Sequence, residues 1–320
     1  MKILITGGAG FIGSHLTEKL LEEGHEILIL DDLSTGDMKN IQHVVDAGKV
    51  SFTKGDVRQR KDIAQLAQEA DFIFHLAAAV GVQTVVDKPL ESMMRNIEGT
   101  KNVIEEAMIK KTPVLITSSS EVYGKNDNLP FEEHSERVYG SAYNERWGYA
   151  LSKAVDEFIA LAYWREKKLP TITVRLFNTT GSRQTHRYGM VIPNFVNHAI
   201  RNEPLVVHGD GEQIRAFSHV ADIVSGLIGL MHSKVAYGEI FNLGSTEAIS
   251  INDLAKKVIQ LAESSSPVTH ISYEEAYNST FEDMRKRVPN ISKIQEAIGY
   301  KPQFTLDNTI TSIIDYYRSL

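Results

Sequence analysis

Tyr149-Ala150-Leu151-Ser152-Lys153 sets a phenol and an ammonium four residues apart. On a helix that spacing brings both side chains to one face. A lysine cation beside a phenol favours its ionised form and lowers its pKa toward neutrality, which would make Tyr149 a usable general base. Taken alone, such a pair on an amphipathic helix is surface decoration. A second group upstream changes the weighing. The apolar run Val114 to Thr117 leads into Ser118-Ser119-Ser120-Glu121. A hydroxyl at that strand end could share a substrate hydroxyl with Tyr149, and Glu121 supplies a carboxylate for acid–base work.

Such groups need a scaffold, and the first two dozen residues, MKILITGGAGFIGSHLTEKLLEEG, supply its centre. Lys2 to Thr6 is a short β-rich apolar run. Glycines follow at positions 7, 8, 10 and 13, and then Ile12, Leu16, Leu20 and Leu21 recur at helical spacing. Strand, tight glycine turn and helix form the context of a dinucleotide-binding fingerprint. Gly7 allows the sharp turn, Gly10 lets a pyrophosphate approach the backbone, and Gly13 lets the helix pack on the strand. Gly7, Gly10, Phe11, Ile12 and Gly13 are thus the candidate phosphate cradle at a helix N-terminus. A second strand, Glu26 to Leu30, ends in Asp31 and Asp32, with Asp31 eighteen residues past Gly13 (31 − 13). An acid there accepts hydrogen bonds from the adenosine ribose and repels a 2′-phosphate, which favours NAD over NADP. The glycines alone would fit an ordinary turn; the acid decides for a cofactor site.

The 320 residues suffice for one large or two moderate domains. Apolar content of 42% and charged content of 23% are those of a soluble globular protein. A net charge of −7 argues against a general nucleic-acid or acidic-membrane binder, while leaving room for local basic pockets. The absence of cysteine excludes disulfides, thiolate catalysis and cysteine-based metal sites, and no metal site is expected. The chain opens on its first strand without a basic-then-apolar leader, and no apolar run reaches spanning length. The expectation is a cytoplasmic protein.

Short apolar strands alternate with amphipathic helices through the first half, predicting right-handed crossovers and a parallel sheet covered on both faces. The expected fold is α/β, a Rossmann-type doubly wound sheet over residues 1–177, with a smaller, partly discontinuous substrate lobe over 178–320. Helices are expected at Arg60–Glu69, Pro89–Lys110 and Tyr149–Lys167, and segments beyond 177 are expected to cross back to the main sheet. Polar clusters fall at strand ends: Gly7 to Gly13, Asp31-Asp32, Gly55-Asp56-Val57, His75 to Ala79 and Ser118 to Tyr123. Ligands of such sheets sit there.

These motifs have a known counterpart. TGGAGFIGSH, Asp31, Gly55-Asp56-Val57, HLAAA at His75 to Ala79, Asn96 with Gly99, SSSEVYG and YALSK together resemble an extended short-chain dehydrogenase/reductase. The likeness runs on through RLFNTTGSRQ, GDGEQIRAFSHVADI and RKRVPNISK, essentially the whole chain, and points to the nucleotide-sugar epimerases, decarboxylases and dehydratases. It implies a tightly held NAD, a UDP-sugar or similar substrate, and a homodimer built by pairing Pro89–Lys110 and Tyr149–Lys167 with the same helices of a second copy. It implies that Thr117 or Ser119 is the hydroxyl beside Tyr149, and that Lys153 holds the nicotinamide ribose. Asp56 and Val57 would contact adenine, Leu76, Ala77 and Ala78 would line the cofactor channel, and Asn96 belongs to the same cofactor-binding set. On the substrate side, Asn178 would meet the diphosphate, Leu205, Val207 and His208 would flank the nucleobase, and Arg215 and Arg287 would meet the phosphates. Arg183, within the Gly181–Met190 loop that contacts the sugar in the group, and Val191 just after it would bind substrate; in that loop Ser182 replaces the proline of many relatives, and His186, Arg187 and Tyr188 are candidate readers of a carboxylate or N-acetyl group.

The resemblance also implies a shared first step, oxidation at C4 of the sugar to a ketone. The reaction that follows depends on Glu121. Epimerases of the group usually carry a small or apolar residue there, dehydratases an Asp-Glu pair, and UDP-glucuronate decarboxylases Ser-Glu. This chain reads Ser120-Glu121, and Arg146-Trp147 before Tyr149 also resembles a bacterial decarboxylase. Decarboxylation of a UDP-uronate is the expected reaction, with 4-epimerisation and dehydration as alternatives. A Glu121 facing another anion would be raised in pKa and able to donate a proton. The competing reading makes it a structural partner of Arg146.

Overall fold

The structure is a computed structural model that describes residues 1–79, 87–185, 190–276 and 282–320. His186, Arg187 and Tyr188 lie outside the described residues.

Seven strands carry the fold: β1 (Lys2–Thr6), β2 (Glu26–Asp31), β3 (Val50–Lys54), β4 (Phe72–His75), β5 (Val114–Ser119), β6 (Thr171–Leu176) and β7 (Glu239–Leu243). Every pairing is parallel, in the order β7-β6-β5-β4-β1-β2-β3. Parallel strands covered on both faces need apolar residues at consecutive positions, and Ile3, Leu4 and Ile5 of β1 are all fully buried. Six helices cover the sheet: α1 (Phe11–Glu22), α2 (Arg60–Glu69), α3 (Pro89–Lys110), α4 (Arg146–Ala162), α5 (Val220–Met231) and α6 (Ser292–Ile298). α1, α5 and α6 bury Leu16, Leu20, Ile223, Leu227 and Ile294 against Ile3, Ile5 and Ile29. On the opposite face α2, α3 and α4 bury Ile63, Val103, Ile104 and Ala160 against Leu4, Ile73 and Ile116. Strand order reverses between β1 and β4, and that switch point opens a crevice beyond the carboxyl ends.

Segments from the second half do return to the sheet. β7 is its edge strand, registered on β6 from Glu239↔Ile172 to Leu243↔Leu176. Three further helices, Val191–Ala199, Ile251–Leu261 and Leu306–Arg318, enclose a separate core of Phe195, Val196, Leu254, Val258, Ile310 and Ile313. α4 differs from expectation at both ends. It starts at Arg146, where Asn144 Oδ1 accepts the Arg146 N–H at 3.2 Å, so Arg146 joins the helix. Its continuation, Tyr163–Lys167, is a single π turn that ends with Lys168 in the left-handed region.

One buried ionic network locks α4 to the strand ends. The Glu157 carboxylate accepts from Ser118 Oγ at 2.6 Å, from Arg175 Nε at 2.9 Å and Nη2 at 2.8 Å, and from Arg137. Arg175 also donates to the Tyr123 hydroxyl at 2.8 Å, and that hydroxyl donates to Asn242 Oδ1 of β7 at 2.6 Å. Glu157 and Arg175 are 1% and 2% exposed, so neither charge has water to fall back on. Removing one partner of such a pair strands the other in a poor solvent. Glu157→Ala is therefore expected to lower the unfolding free energy by about 3–5 kcal/mol in urea titration. A loss below about 1 kcal/mol, the scale of a surface pair, would show that the network does not hold α4 in place.

Candidate active site

A cavity of about 480 Å³ lies at the carboxyl ends of the strands, between the sheet and the smaller lobe. Its walls include Gly7, Gly10, Phe11, Ile12 and Gly13 from the turn, Asp31 and Asp32 after β2, and Asp56 and Val57 after β3. Leu76, Ala77 and Ala78 follow β4, and Thr117, Ser119 and Glu121 come from β5 and the turn after it. Tyr149 and Lys153 face it from α4, while Asn178, Val191, His208, Arg215 and Arg287 close it from the lobe side.

The glycine turn has the shape of a cradle. Gly7 sits at φ 77°, and a Cβ there would lie 2.8 Å from the Ala77 amide nitrogen. A Cβ on Gly13 would lie 2.2 Å from the Gly7 carbonyl oxygen, so α1 approaches the turn as closely as only glycine permits. Asp31 fixes the far side by accepting the Ala9 N–H at 2.9 Å and the Leu33 N–H at 2.8 Å. Burial raises its pKa against the pull of those two N–H groups. Asp32 pairs with Arg95 at 2.7 Å, and Asp56 with Arg58 at 2.6 Å. These residues suit a dinucleotide. The cradle takes a pyrophosphate and Asp31 an adenosine ribose.

Two residues expected at the cofactor spend their side-chain hydrogen bonds on the protein itself. Asn96 is buried and off the cavity wall, accepting the Ala79 N–H at 2.8 Å and donating to Ser152 Oγ at 3.0 Å. It ties the segment after β4 to α4. Thr117 Oγ1 donates to the His75 carbonyl at 3.1 Å, which leaves Ser119 as the hydroxyl bonded to the Tyr149 phenol. Ser120 turns away, accepting from Arg287 Nε at 3.2 Å and Nη2 at 2.6 Å.

The structure corrects the expected Tyr149–Lys153 relation. Burial, and then the Glu121 carboxylate, push the Tyr149 phenol above its ordinary pKa, opposed by the Ser119 hydrogen bond and the Arg287 charge. Lys153 Nζ is buried and donates to Asp156 Oδ2 at 2.8 Å, one turn further along α4. The Lys153 ammonium is thus paired with Asp156 rather than with the phenol.

Beyond Tyr149 lies a cluster of three guanidiniums and two carboxylates. Arg146 Nη1 donates to Glu121 Oε2 at 2.5 Å, and Arg287 Nη1 lies 3.6 Å from Glu121 Oε1. Arg215 Nη2 donates to Asp283 Oδ2 at 2.9 Å, where the Tyr273 hydroxyl also donates at 3.0 Å. Burial, helped by the neighbouring Arg215 and Arg146, brings Arg287 down to about 10 despite Glu121. Burial raises Asp283, but Arg215 and Arg146 outweigh it and hold the carboxyl below its usual range. Glu121 therefore faces two cations where an anion was expected. The cluster keeps one positive charge in excess, and its wall favours an anionic ligand.

Arg183, Leu205 and Val207 do not reach the cavity wall. Leu205 and Val207 are fully buried in the lobe core, and strand alternation turns Val206 and His208 to the cavity instead. Burial lowers the His208 pKa, with Asp283 opposing. Arg183 Nη2 donates to Glu18 Oε1 of α1 at 2.7 Å, so it clamps its loop to the sheet side. Conversely, Asp283 and Tyr273 line the cavity without having been expected there. They sit on segments with no periodic signal. Arg146 was legible through the resemblance of Arg146-Trp147 to a bacterial decarboxylase and as a possible partner of Glu121.

The sequence model described as GDP-mannose 4,6 dehydratase matches residues 4–313. A protein of Bacillus cytotoxicus named UDP-N-acetyl-alpha-D-glucosaminuronate decarboxylase is 37% identical over 320 residues, covering 100% of this chain and 98% of that one. UDP-glucuronic acid decarboxylase 1 of Xenopus tropicalis is 34% identical over 319 residues, covering 99% of this chain and 72% of the relative. Among solved structures, the UDP-glucuronic acid 4-epimerase of Bacillus cereus, in complex with UDP-glucuronic acid and NAD, superposes with a TM-score of 0.90 at 26% identity. It covers 100% of this chain and 99% of its own.

A raised phenol pKa has a direct consequence in the cofactor-free protein. The folded state holds this proton more tightly than the unfolded chain, where tyrosine ionises near ~10. The stability it contributes is present below about pH 10 and lost as pH rises further. Ultraviolet difference titrations of the wild type and Tyr149→Phe should superimpose up to about pH 10. A phenolate near neutral pH, present in the wild type and missing from the variant, would contradict this.

Proposed function

We propose, from the premise that this chain belongs to the GDP-mannose 4,6 dehydratase family of NAD-dependent nucleotide-sugar enzymes, that it decarboxylates a UDP-uronate through a 4-keto sugar. The observation that carries the reading is the pair Ser120-Glu121 beside Tyr149, both held by Arg287, with Arg146 on the far side of Glu121. Residues 1–177 hold NAD in this account, and residues 178–320 hold most of the nucleotide sugar. Asn178 and Arg215 face the diphosphate, and Val206 and His208 the nucleobase.

NAD would rest in the Gly7–Gly13 cradle with its ribose on Asp31, and when bound it supplies the acceptor and later the donor of the C4 hydride. Lys153, paired with Asp156, would hold the nicotinamide ribose, and the positive charge that a bound NAD supplies would favour the Tyr149 phenolate. Tyr149, bonded to Ser119, takes the O4 proton as C4 becomes a ketone. Arg287 and Arg146 receive the C6 carboxylate, which the ketone has turned into a β-keto acid. The C5–C6 bond breaks, carbon dioxide leaves with C6, and the electron pair flows to the ketone oxygen as an enolate. C5 then takes a proton that Glu121 relays from solvent, replacing the lost carboxylate, and Tyr149 returns its proton to O4 as C4 regains its hydride.

The Bacillus cytotoxicus relative, matched over nearly its full length, is named for a 2-acetamido uronate, and this favours a second reading of the sugar alone. A homodimer completes the proposal. Leu90 and Met94 on α3 and Leu151, Val155 and Phe158 on α4 are exposed on two helices that lie side by side, an apolar face suited to a four-helix bundle. A cytoplasmic setting, where NAD and nucleotide sugars are available, belongs to the same reading.

Purified protein given UDP-glucuronate or its 2-acetamido analogue should release carbon dioxide, and NMR should show a UDP-pentose. A retained carboxylate with inverted C4 would mean epimerisation, and an unsaturated or 6-deoxy-4-keto sugar would mean dehydration. Tyr149→Phe should abolish turnover of a folded protein. Glu121→Gln should block carbon dioxide release while leaving some ketone; unchanged decarboxylation would reduce Glu121 to a structural partner of Arg146.

A further inference from the structure

The end of the molecule opposite the cavity carries a cluster that the reaction does not use. α1 ends at Glu22 with Glu23 as its C-cap, and α5 ends at Met231 with His232 as its C-cap. His25 stands between them, immediately before β2. Glu23 Oε2 lies 3.8 Å from His25 Nε2 and 3.9 Å from His232 Nε2. One ligand atom from each of the three residues lies within 4.8 Å of the others, the only such group among the described residues. The imidazole centroids are 6.4 Å apart with a tilt of 34°.

The surroundings favour a cation, because both helices direct their C-terminal, partially negative ends at the cluster. The N-terminal amine lies 3.4 Å from His25 Nδ1, on the ring edge away from the cluster. His232 is 54% exposed at its side chain and has room to swing inward. That matters because ligands about 2.0–2.2 Å from a tetrahedral ion stand closer together than these three do now. Two imidazoles and a carboxylate, with further positions open to water, form a donor set for zinc rather than for calcium or magnesium.

We propose that Glu23, His25 and His232 form a zinc-class transition-metal site that fastens the C-terminal ends of α1 and α5 to each other. The site is remote from the catalytic cavity. Its occupancy stabilises the fold by mass action and leaves the chemistry untouched.

The test uses full-length, tag-free, chelator-stripped protein, with zinc chloride and cobalt chloride as probes. Calorimetry should count one zinc per chain, zinc should raise the unfolding temperature, and bound cobalt should show the visible absorption of a low-coordinate site. His232→Ala, a substitution at an exposed position, should fold and keep the decarboxylation rate yet lose all three metal responses. Glu23→Gln should weaken them. Absence of binding by the wild type would overturn the proposal, as would zinc binding of unchanged affinity in His232→Ala.

Discussion

The site depends on a carboxylate that cannot reach water. Glu157 is buried at the centre of α4 and satisfies itself only if Ser118 at the end of β5 and Arg175 at the end of β6 stand in fixed places. A buried charge left unpaired costs several kcal/mol, so the strand ends and the helix are locked in one relative position. That position puts Ser119, the next residue of β5, against the phenol of Tyr149, two helical turns upstream of Glu157. Through Tyr123 and Asn242 the same network reaches β7, which comes from the second half of the chain. The lobe and the sheet are thereby referenced to one point.

Charge placement around Tyr149 follows a related logic. Lys153 does not act freely on the phenol, because Asp156 takes its charge. The protein alone therefore holds a neutral phenol. In the proposed reaction a base would appear only when further positive charge arrives, as a bound nicotinamide cation would bring. Proton removal would then be coupled to the presence of the hydride acceptor. Past Tyr149 the charges invert, with Arg146, Arg215 and Arg287 outnumbering Glu121 and Asp283. In the proposed function an anionic sugar nucleotide would meet this wall, and a uronate would bring the additional carboxylate that such a wall can hold.

Much of this was legible in the residues because it rests on local rules. The glycine turn, Asp31, and the Tyr149–Lys153 spacing each express a backbone or helical constraint that needs no tertiary knowledge. Helix α3, expected over Pro89–Lys110 with Pro89 at its start, spans those residues. Long-range electrostatics were not legible. Nothing near Lys153 in the sequence says that Asp156 would take its charge rather than face solvent, since both lie on an unremarkable helical surface until burial is known. Leu205 and Val207 were placed at the nucleobase by the resemblance alone, and strand alternation turns them into the lobe core instead. Arg183 followed its loop, whose attachment to Glu18 of α1 spans 165 residues. Asp283 and Tyr273 belong to short segments that only the closed lobe brings together.

The central claim is that one cofactor takes and returns the same hydride while the sugar loses its carboxylate. A UDP-uronate carrying deuterium at C4 tests it most directly, with the product examined by NMR and mass spectrometry. The account predicts a UDP-pentose that retains the deuterium at C4, one carbon dioxide per turnover, and no net accumulation of reduced cofactor. Deuterium lost to solvent, or found on a released reduced cofactor, would contradict it.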